Sequence, residues 1–345
     1  MAPTQSQWPP VLVVIPVHNG AEHAVACLES LAAAGVSRSD VVIIDNGSTA
    51  QTVQAIRVAA PEVEMISQAN LGFAAAANRG IRRSIERGCS YSWLLNSDTR
   101  VPHGTLETLI QYMDRDENYR VGACSPVIYR ADDPAAIDFA GGWIDRRDWT
   151  CGHYTSLDGH DNAREPFLTG CSLLVRNLAV VGAGMFDERF FLYWEDGDLC
   201  LRLRAAGYGL TMVPEASILH CVGGSSPPDD MRPVYYVARN RFLICAKHSP
   251  PTRRLLNLAR LACAELGTVL HYAATEQWNV AKARGVGLLD GLCRRWGPKR
   301  EGRWPIAEPA VSCALGAMAV CLPFWKALKA AARRLGRWRL GGERA

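Results

Sequence analysis

The chain has 345 residues, 48% hydrophobic and 21% charged, which excludes extensive disorder and allows either one large α/β domain with an appendage or two domains. The formal net charge of +4 is unevenly spread: residues 282–345 hold 14 Lys and Arg against 4 Asp and Glu, a surplus of +10, so the remainder carries −6. The 12 cysteines lack paired zinc-ligand spacing, and the first ten residues have neither the basic nor the apolar part of a secretory signal, so a reducing, cytoplasmic setting is expected.

The first half alternates strands and helices. Residues 11–15 form an apolar strand stopped by Pro16, and 21–34 form a helix ended by Gly35. Residues 41–44 form a second strand, and the turn Asp45, Asn46, Gly47, Ser48 leads into a helix to about residue 60. A third strand at 63–67 precedes a helix over 74–87 closed by Gly88. A fourth at 93–95 precedes a helix over about 105–115, and 121–127 reads as a fifth strand. This alternation predicts a mainly parallel sheet covered on both faces, with ligands beyond the carboxyl ends of its strands. Three of those ends are polar: Pro16, Val17, His18, Asn19 and Gly20; Asp45 to Ser48; and Asn96, Ser97 and Asp98. Such residues build turns anywhere. Three such turns on one sheet edge point to a ligand site.

Residues 128–167 show no clear period and read as a long functional loop, with acceptor recognition as its expected task. Next comes an aromatic run, Phe190, Phe191, Tyr193 and Trp194, directly before Glu195, Asp196 and Asp198 at the head of a helix. The dipole and free N–H groups there favour ionised carboxylates. Asp196, Leu199, Cys200 and Leu203 share one stripe, which aims Asp196 inward, while Asp198 lies four residues before Arg202 as a surface ion pair. Asp196 is the candidate general base; capping the helix is the alternative use of all three acids. Beyond residue 249 the pattern is helical. Residues 309–325 are uncharged, and Lys326, Lys329, Arg333, Arg334, Arg337 and Arg339 follow at helical spacing. That pattern fits an interfacial helix on an anionic membrane, or a helix packed on the protein itself.

Neither Gly-x-Gly-x-x-Gly nor a P-loop follows the first strand, which argues against a dinucleotide-dependent oxidoreductase and a P-loop nucleotidase. Asp45 suits a nucleobase or ribose, and Asn96, Ser97 and Asp98 suit a divalent cation, Mg²⁺ or Mn²⁺, bridging a diphosphate.

Taken in order, these motifs resemble the inverting family 2 glycosyltransferases of GT-A fold, most closely the bacterial rhamnosyltransferase-type members. The resemblance runs over about residues 10–247 and rests on Val14 to Asn19, Ile44 to Ser48, Asn70 to Ala74 with Asn78, Leu94 to Asp98, Thr169 to Arg176, Gly184 to Glu188, and Trp194, Glu195, Asp196. It implies a GT-A domain over 1–249, with a nucleotide-binding half at about 10–127 and an acceptor half at about 128–249, before a helical, basic region at 250–345. It places Pro16, His18, Asp45, Asn46, Asn70, Gly72, Asn78, Asn96 and Ser97 around a nucleotide-sugar donor. Asp98 and His220 become metal ligands, Asp196 the base, and Tyr193, Trp194 and Glu195 the wall against the sugar. Asn96 departs from the family's Asp-x-Asp motif and leaves a single carboxylate for the metal. The implied reaction moves a sugar, rhamnose from dTDP-rhamnose first, to a hydroxyl of a glycan or lipid-linked glycan at the cytoplasmic face of the membrane, in bacterial surface polysaccharide synthesis. The competing readings are an inactive glycan-binding scaffold and a metal-dependent nucleotidyltransferase. The latter would want a glycine-rich basic loop after the first strand, which Pro16 to Gly20 is not. Nucleic acid is an unlikely partner, because aromatic residues for stacking bases are few and confined to the tail.

Overall fold

The computed structural model describes residues 10–158, 164–221, 229–299 and 311. The chain forms two compact units: Met1–Asp230 with Lys247–Ser249 and Trp296–Pro298, and Met231–Ala246 with Pro250–Arg295 and Lys299–Ala345.

The first unit opens with β1 (Val11–Val17), α1 (Ala21–Ala33), β2 (Val41–Asn46), α2 (Ala50–Ala59), β3 (Glu64–Gln68), α3 (Phe73–Glu86) and β4 (Tyr91–Leu95). These four strands lie parallel in the order β3-β2-β1-β4. β1 and β2 are near-continuous runs of buried Val, Ile and Leu because both of their faces are covered. α3 sits close on β1: a Cβ at Gly80 would lie 2.0 Å from Val14 Cγ1, so the glycine sets the helix-to-sheet spacing. Pro16 does not stop β1 as expected. The ladder to β4 ends at Val14 while the ladder to β2 continues to Val17, so Pro16 lies past the end of the β4 ladder.

β5 (Thr99–Arg100), α4 (Thr105–Met113) and β6 (Val121–Arg130) follow. The stretch expected to be one long loop instead holds β7 (Ile137–Phe139), β8 (Gly142–Asp145), β9 (Thr150–His153) and β10 (Glu165–Phe167). β7 pairs with β6, and the other three form a small antiparallel sheet in the order β10-β8-β9. Strands of three or four residues are too short to display a period, which is why the sequence reads as a loop. β11 (Ser172–Arg176) then inserts antiparallel between β4 and β6; α5 (Asn177–Gly182), α6 (Glu195–Ala205) and β12 (Gly209–His220) complete the unit's main elements. The large sheet runs β3-β2-β1-β4-β11-β6-β12-β5, with β12 parallel to β6. This is an α/β fold with a mainly parallel sheet, in line with the GT-A resemblance.

In the second unit are α7 (Arg232–His248), whose last two residues belong to the first unit, α8 (Arg254–Ala274) and α9 (Trp278–Leu292). Val269, Ala273 and Ala281 pack with Tyr272, Trp278 and Val311. Buried Glu265 is held by Arg241 at 2.9 Å and Arg284 at 2.7 Å, so its charge is compensated inside the helical layer. Among the described residues no helix is long and apolar enough to cross a membrane. Apart from Val311, the 309–325 stretch and the basic residues after it lie outside the described residues.

Candidate functional site

Strand direction gathers the candidate residues. The carboxyl ends of parallel β1, β2 and β4 share one sheet edge, carrying His18, Asp45 and Asn96 to Asp98. β11 runs the other way, so its entry at Gly170 lies on that same edge, and parallel pairing with β6 carries the end of β12, His220, to it as well.

At the β1 and β2 end the loops are tied into one surface. His18 Nδ1 lies 3.1 Å from the Asn46 carbonyl oxygen, and the Asn70 amide nitrogen is 3.3 Å from His18 Nε2. Buried Asp45 accepts the Ser48 N–H at 2.9 Å, and half-buried Pro16 sits behind it on β1. Two expected donor contacts are corrected here. Asn46 uses its entire side-chain capacity internally: its amide donates to Asn70 Oδ1 (3.3 Å) and the Gly72 carbonyl (3.1 Å), and its oxygen accepts from Gln68 Nε2 (3.0 Å) and the Leu71 N–H (3.1 Å). Asn78 is buried and donates to the Phe186 carbonyl and Glu188 Oε1, both at 2.9 Å, while accepting the Phe186 N–H. Both are braces for the loops around them. Gly72 has φ of +89°, and a Cβ there would lie 2.2 Å from the Phe191 carbonyl oxygen. That same oxygen accepts the Phe73 N–H at 2.7 Å, so the loop before α6 is clamped onto the start of α3.

At the β4 end, the Asn96 N–H bonds the Cys171 carbonyl and Thr99 Oγ1 bonds the Asn96 carbonyl, fixing a tight turn over half-buried Asn96 and buried Ser97. The two-residue β5 pairs with the end of β12, His220 against Thr99, and brings Asp98 Oδ1 within 3.5 Å of His220 Nε2. His220 is the last residue of β12. Its Nδ1 faces Asp138 Oδ2 at 2.9 Å. Burial of the ring works against its charge, but Asp98 and the Cys171 thiol more than offset this and lift His220 to about 12. Asp138 carries no sequence signal. It is the residue skipped at the register shift where Ile128 and Tyr129 of β6 pair with Phe139 and Ile137 of β7, a bulge that turns its side chain toward β12.

Once an incoming cation displaces the His220 proton, the donor set suits a hard divalent cation: one carboxylate oxygen, one imidazole nitrogen, and a second carboxylate fixing that imidazole's orientation. Among the described residues no group of three or more His, Cys, Asp or Glu is placed to hold a metal. Asp98 and His220 would therefore supply only part of a coordination shell, as suits a cation that also takes phosphate oxygens.

α6 begins after three consecutive or near-consecutive non-glycine residues with positive φ, Phe191, Tyr193 and Trp194. Half-buried Asp196 accepts the Gly170 N–H at 3.2 Å and the Gly197 N–H at 2.7 Å. Leu199, Cys200 and Leu203 on its stripe are buried as the spacing predicts. The expectation that the helix terminus keeps all three acids readily ionised is corrected for two of them. Burial outweighs the backbone donors and pushes Asp196 up, and it pushes Glu195 well above the carboxylate range with help from the Asp196 charge. Glu195 Oε2 finds no hydrogen-bond partner among the described residues.

Asp198 is not a surface group. It is 0% exposed, and Arg202 (2.8 Å), Lys247 (2.9 Å) and His248 (2.8 Å) surround it; despite its burial, His248, Arg202 and Lys247 hold it below the carboxylate range. Lys247 also reaches Asp187 at 2.7 Å. The expected aromatic and acidic wall is corrected too: Phe190, Trp194 and Glu195 are buried in the loop's own packing, leaving Tyr193, 38% exposed, and half-buried Phe191 as its open rings.

A model of glycosyl transferase family 2 matches residues 12–166. The chain is 31% identical over 231 residues to the N-acetylglucosaminyl-diphospho-decaprenol L-rhamnosyltransferase of Mycobacterium tuberculosis, a match covering 60% of this chain and 75% of that protein. It is 26% identical over 236 residues to dTDP-rhamnosyl transferase RfbF of Shigella flexneri, covering 65% of this chain and 76% of that one. In fold it is similar to the mannosyltransferase PcManGT from Pyrobaculum calidifontis, solved with GDP-Man and Mn2+, with a TM-score of 0.51, 18% identity, and coverage of 92% of this chain and 89% of that one.

Proposed function

The chain belongs to glycosyl transferase family 2, and we propose that it moves a sugar from a nucleoside diphosphate donor to a glycan or lipid-linked glycan hydroxyl with inversion, rhamnose from dTDP-rhamnose being the first candidate. The observation that carries this reading is one carboxylate, Asp196, held by two backbone N–H groups on the sheet edge that also bears Asp45, Asp98 and His220. Rhamnose rests on the names of the two curated relatives, and the lipid-linked acceptor on the first of them.

In this reading His18, Asp45, Asn70 and the Gly72 backbone cradle the nucleoside, with Pro16, Asn96 and Ser97 lining the same cleft, and Asn46 and Asn78 hold those loops in shape. Asp98 and His220 would hold a divalent cation, with Asp138 orienting His220. Such a cation supplies positive charge that stabilises the departing diphosphate. Asp196 takes the proton of the acceptor hydroxyl as its oxygen attacks the anomeric carbon. The bond from that carbon to the diphosphate oxygen breaks, the nucleoside diphosphate leaves with the bonding pair, and the anomeric centre inverts. No covalent enzyme intermediate is required. The open Tyr193 ring offers an apolar face to a sugar.

Thermal melts with dTDP, UDP, GDP and their sugars, with and without Mn²⁺, test the donor, since a ligand of the native state raises the midpoint by mass action. A metal-dependent rise with dTDP compounds, together with rhamnose transfer to an N-acetylglucosaminyl-diphospho-polyprenol, is expected. A rise with another nucleotide alone would replace the donor. No rise with any of them would favour a scaffold that keeps the fold.

A further inference from the structure

α8 is amphipathic in an unusual sense, with its acid inside and four of its six leucines exposed. Leu261, Glu265, Val269 and Ala273, spaced four apart, form its buried side, and Glu265 is the helix's only acidic residue. The adjoining side presents Leu255 (82% exposed), Leu256 (50%), Leu266 (49%) and Leu270 (42%), with exposed Ala259 and Cys263 between them. At 100° per residue these six fall on one continuous arc, and exposed Arg253, Arg260 and His271 border that arc along one side. No acid lies on the exposed surface of the helix, because Glu265 is spent on Arg241 and Arg284 within.

We propose that this face of α8 docks the chain on an anionic lipid bilayer, lying in the interface with its leucines among the acyl-chain ends and its arginines at the headgroups. The helix cannot span, since no described helix is long and apolar enough to cross a membrane. A contiguous leucine face is poorly accommodated by water, and a one-sided cationic border is the pattern of an interfacial helix. Charge decides the occupant. A second copy would set arginine borders against each other with no exposed acid on α8 to neutralise them, whereas anionic headgroups complement them. This inference does not rest on the transferase reading, and its failure would leave that reading intact, because lipid binding needs neither donor nor acceptor.

The test is flotation of the full chain with vesicles of phosphatidylcholine alone and of phosphatidylcholine with an equal part of phosphatidylglycerol. The paired variants are L266E with L270E, and R253E with R260E; their exposed sites leave the core untouched, and matching thermal midpoints confirm folding. The wild type should float with the anionic vesicles and weakly with the neutral ones. Both variants should lose binding by about ten-fold or more, and salt should weaken the wild type. Absence of flotation overturns the proposal, as does a leucine variant that floats like the wild type, which would assign binding to basic residues elsewhere. A wild-type dimer that the leucine variant converts to monomer without vesicles would assign the face to a second copy and equally overturn it.

Discussion

Glu195 and Asp196 are adjacent acids in one buried turn, and the Asp196 charge disfavours ionisation of Glu195. Asp196 must be ionised to accept a proton, and burial raises its pKa against the donors Gly170 and Gly197. A raised pKa places the acid limb of kcat/KM above the ordinary aspartate value, with activity rising with pH through it; a limb at or below that value would contradict the assignment. Because Glu195 is held protonated well above the carboxylate range, Glu195→Gln replaces one neutral group by another and should leave the limb nearly in place. Asp196→Asn should cut transfer by about 10²–10⁴-fold while nucleotide binding, read by calorimetry, changes less than about two-fold. Asp138→Asn should weaken Mn²⁺ binding by about 10–100-fold in a titration without donor, through loss of His220's orientation. Much of this was legible: Asp45, Asp98 and Asp196 stand out because each sits at a strand end or helix start that local patterning marks. Asp138, Lys247 and His248 were not. Their partners lie 82, 49 and 50 residues away, and only the assembled sheet and helices bring them together.

Among the elements, the loop from Asp187 to Trp194 shows what patterning cannot carry. Its positive-φ residues Phe191, Tyr193 and Trp194 hold a conformation costing on the order of 1–3 kcal/mol each, so surrounding contacts must fix it. Those contacts are the Phe191 carbonyl on Phe73 and the packing of Phe190 and Trp194 beneath the surface. Gly72→Ala would force a methyl into that carbonyl at a φ that alanine resists, and should lower the thermal midpoint and weaken nucleotide binding together. A melt indistinguishable from wild type would show the clamp to be slack. The alternating first half was legible because β1 and β2 are apolar runs ended by polar turns and the helices between the strands end in glycine or keep a clear period. β7–β10 were not, because short strands acquire their partners only in three dimensions.

At the scale of the molecule, the Asp198 cluster joins α6 to residues 247 and 248, with one buried anion held by Arg202, Lys247 and His248. Asp198→Asn leaves that positive charge uncompensated and should cost about 3–5 kcal/mol of stability in denaturant titrations. Because Asp198 is held below its unfolded value near pKa 3.9, its contribution is complete above that value and is lost as pH falls through the lower folded value. Wild-type stability should therefore drop on the acid side, and the Asn variant should drop less there. The Phe191 carbonyl has a mechanical consequence as well. It joins the loop that would receive the donor to the helix that carries the base, so neither can shift without pulling on the other. Amides at the head of α6 should then exchange hydrogen more slowly once a nucleotide is seated against Gly72, even with no acceptor present, and the enzyme would register its first substrate at the very residue awaiting the second.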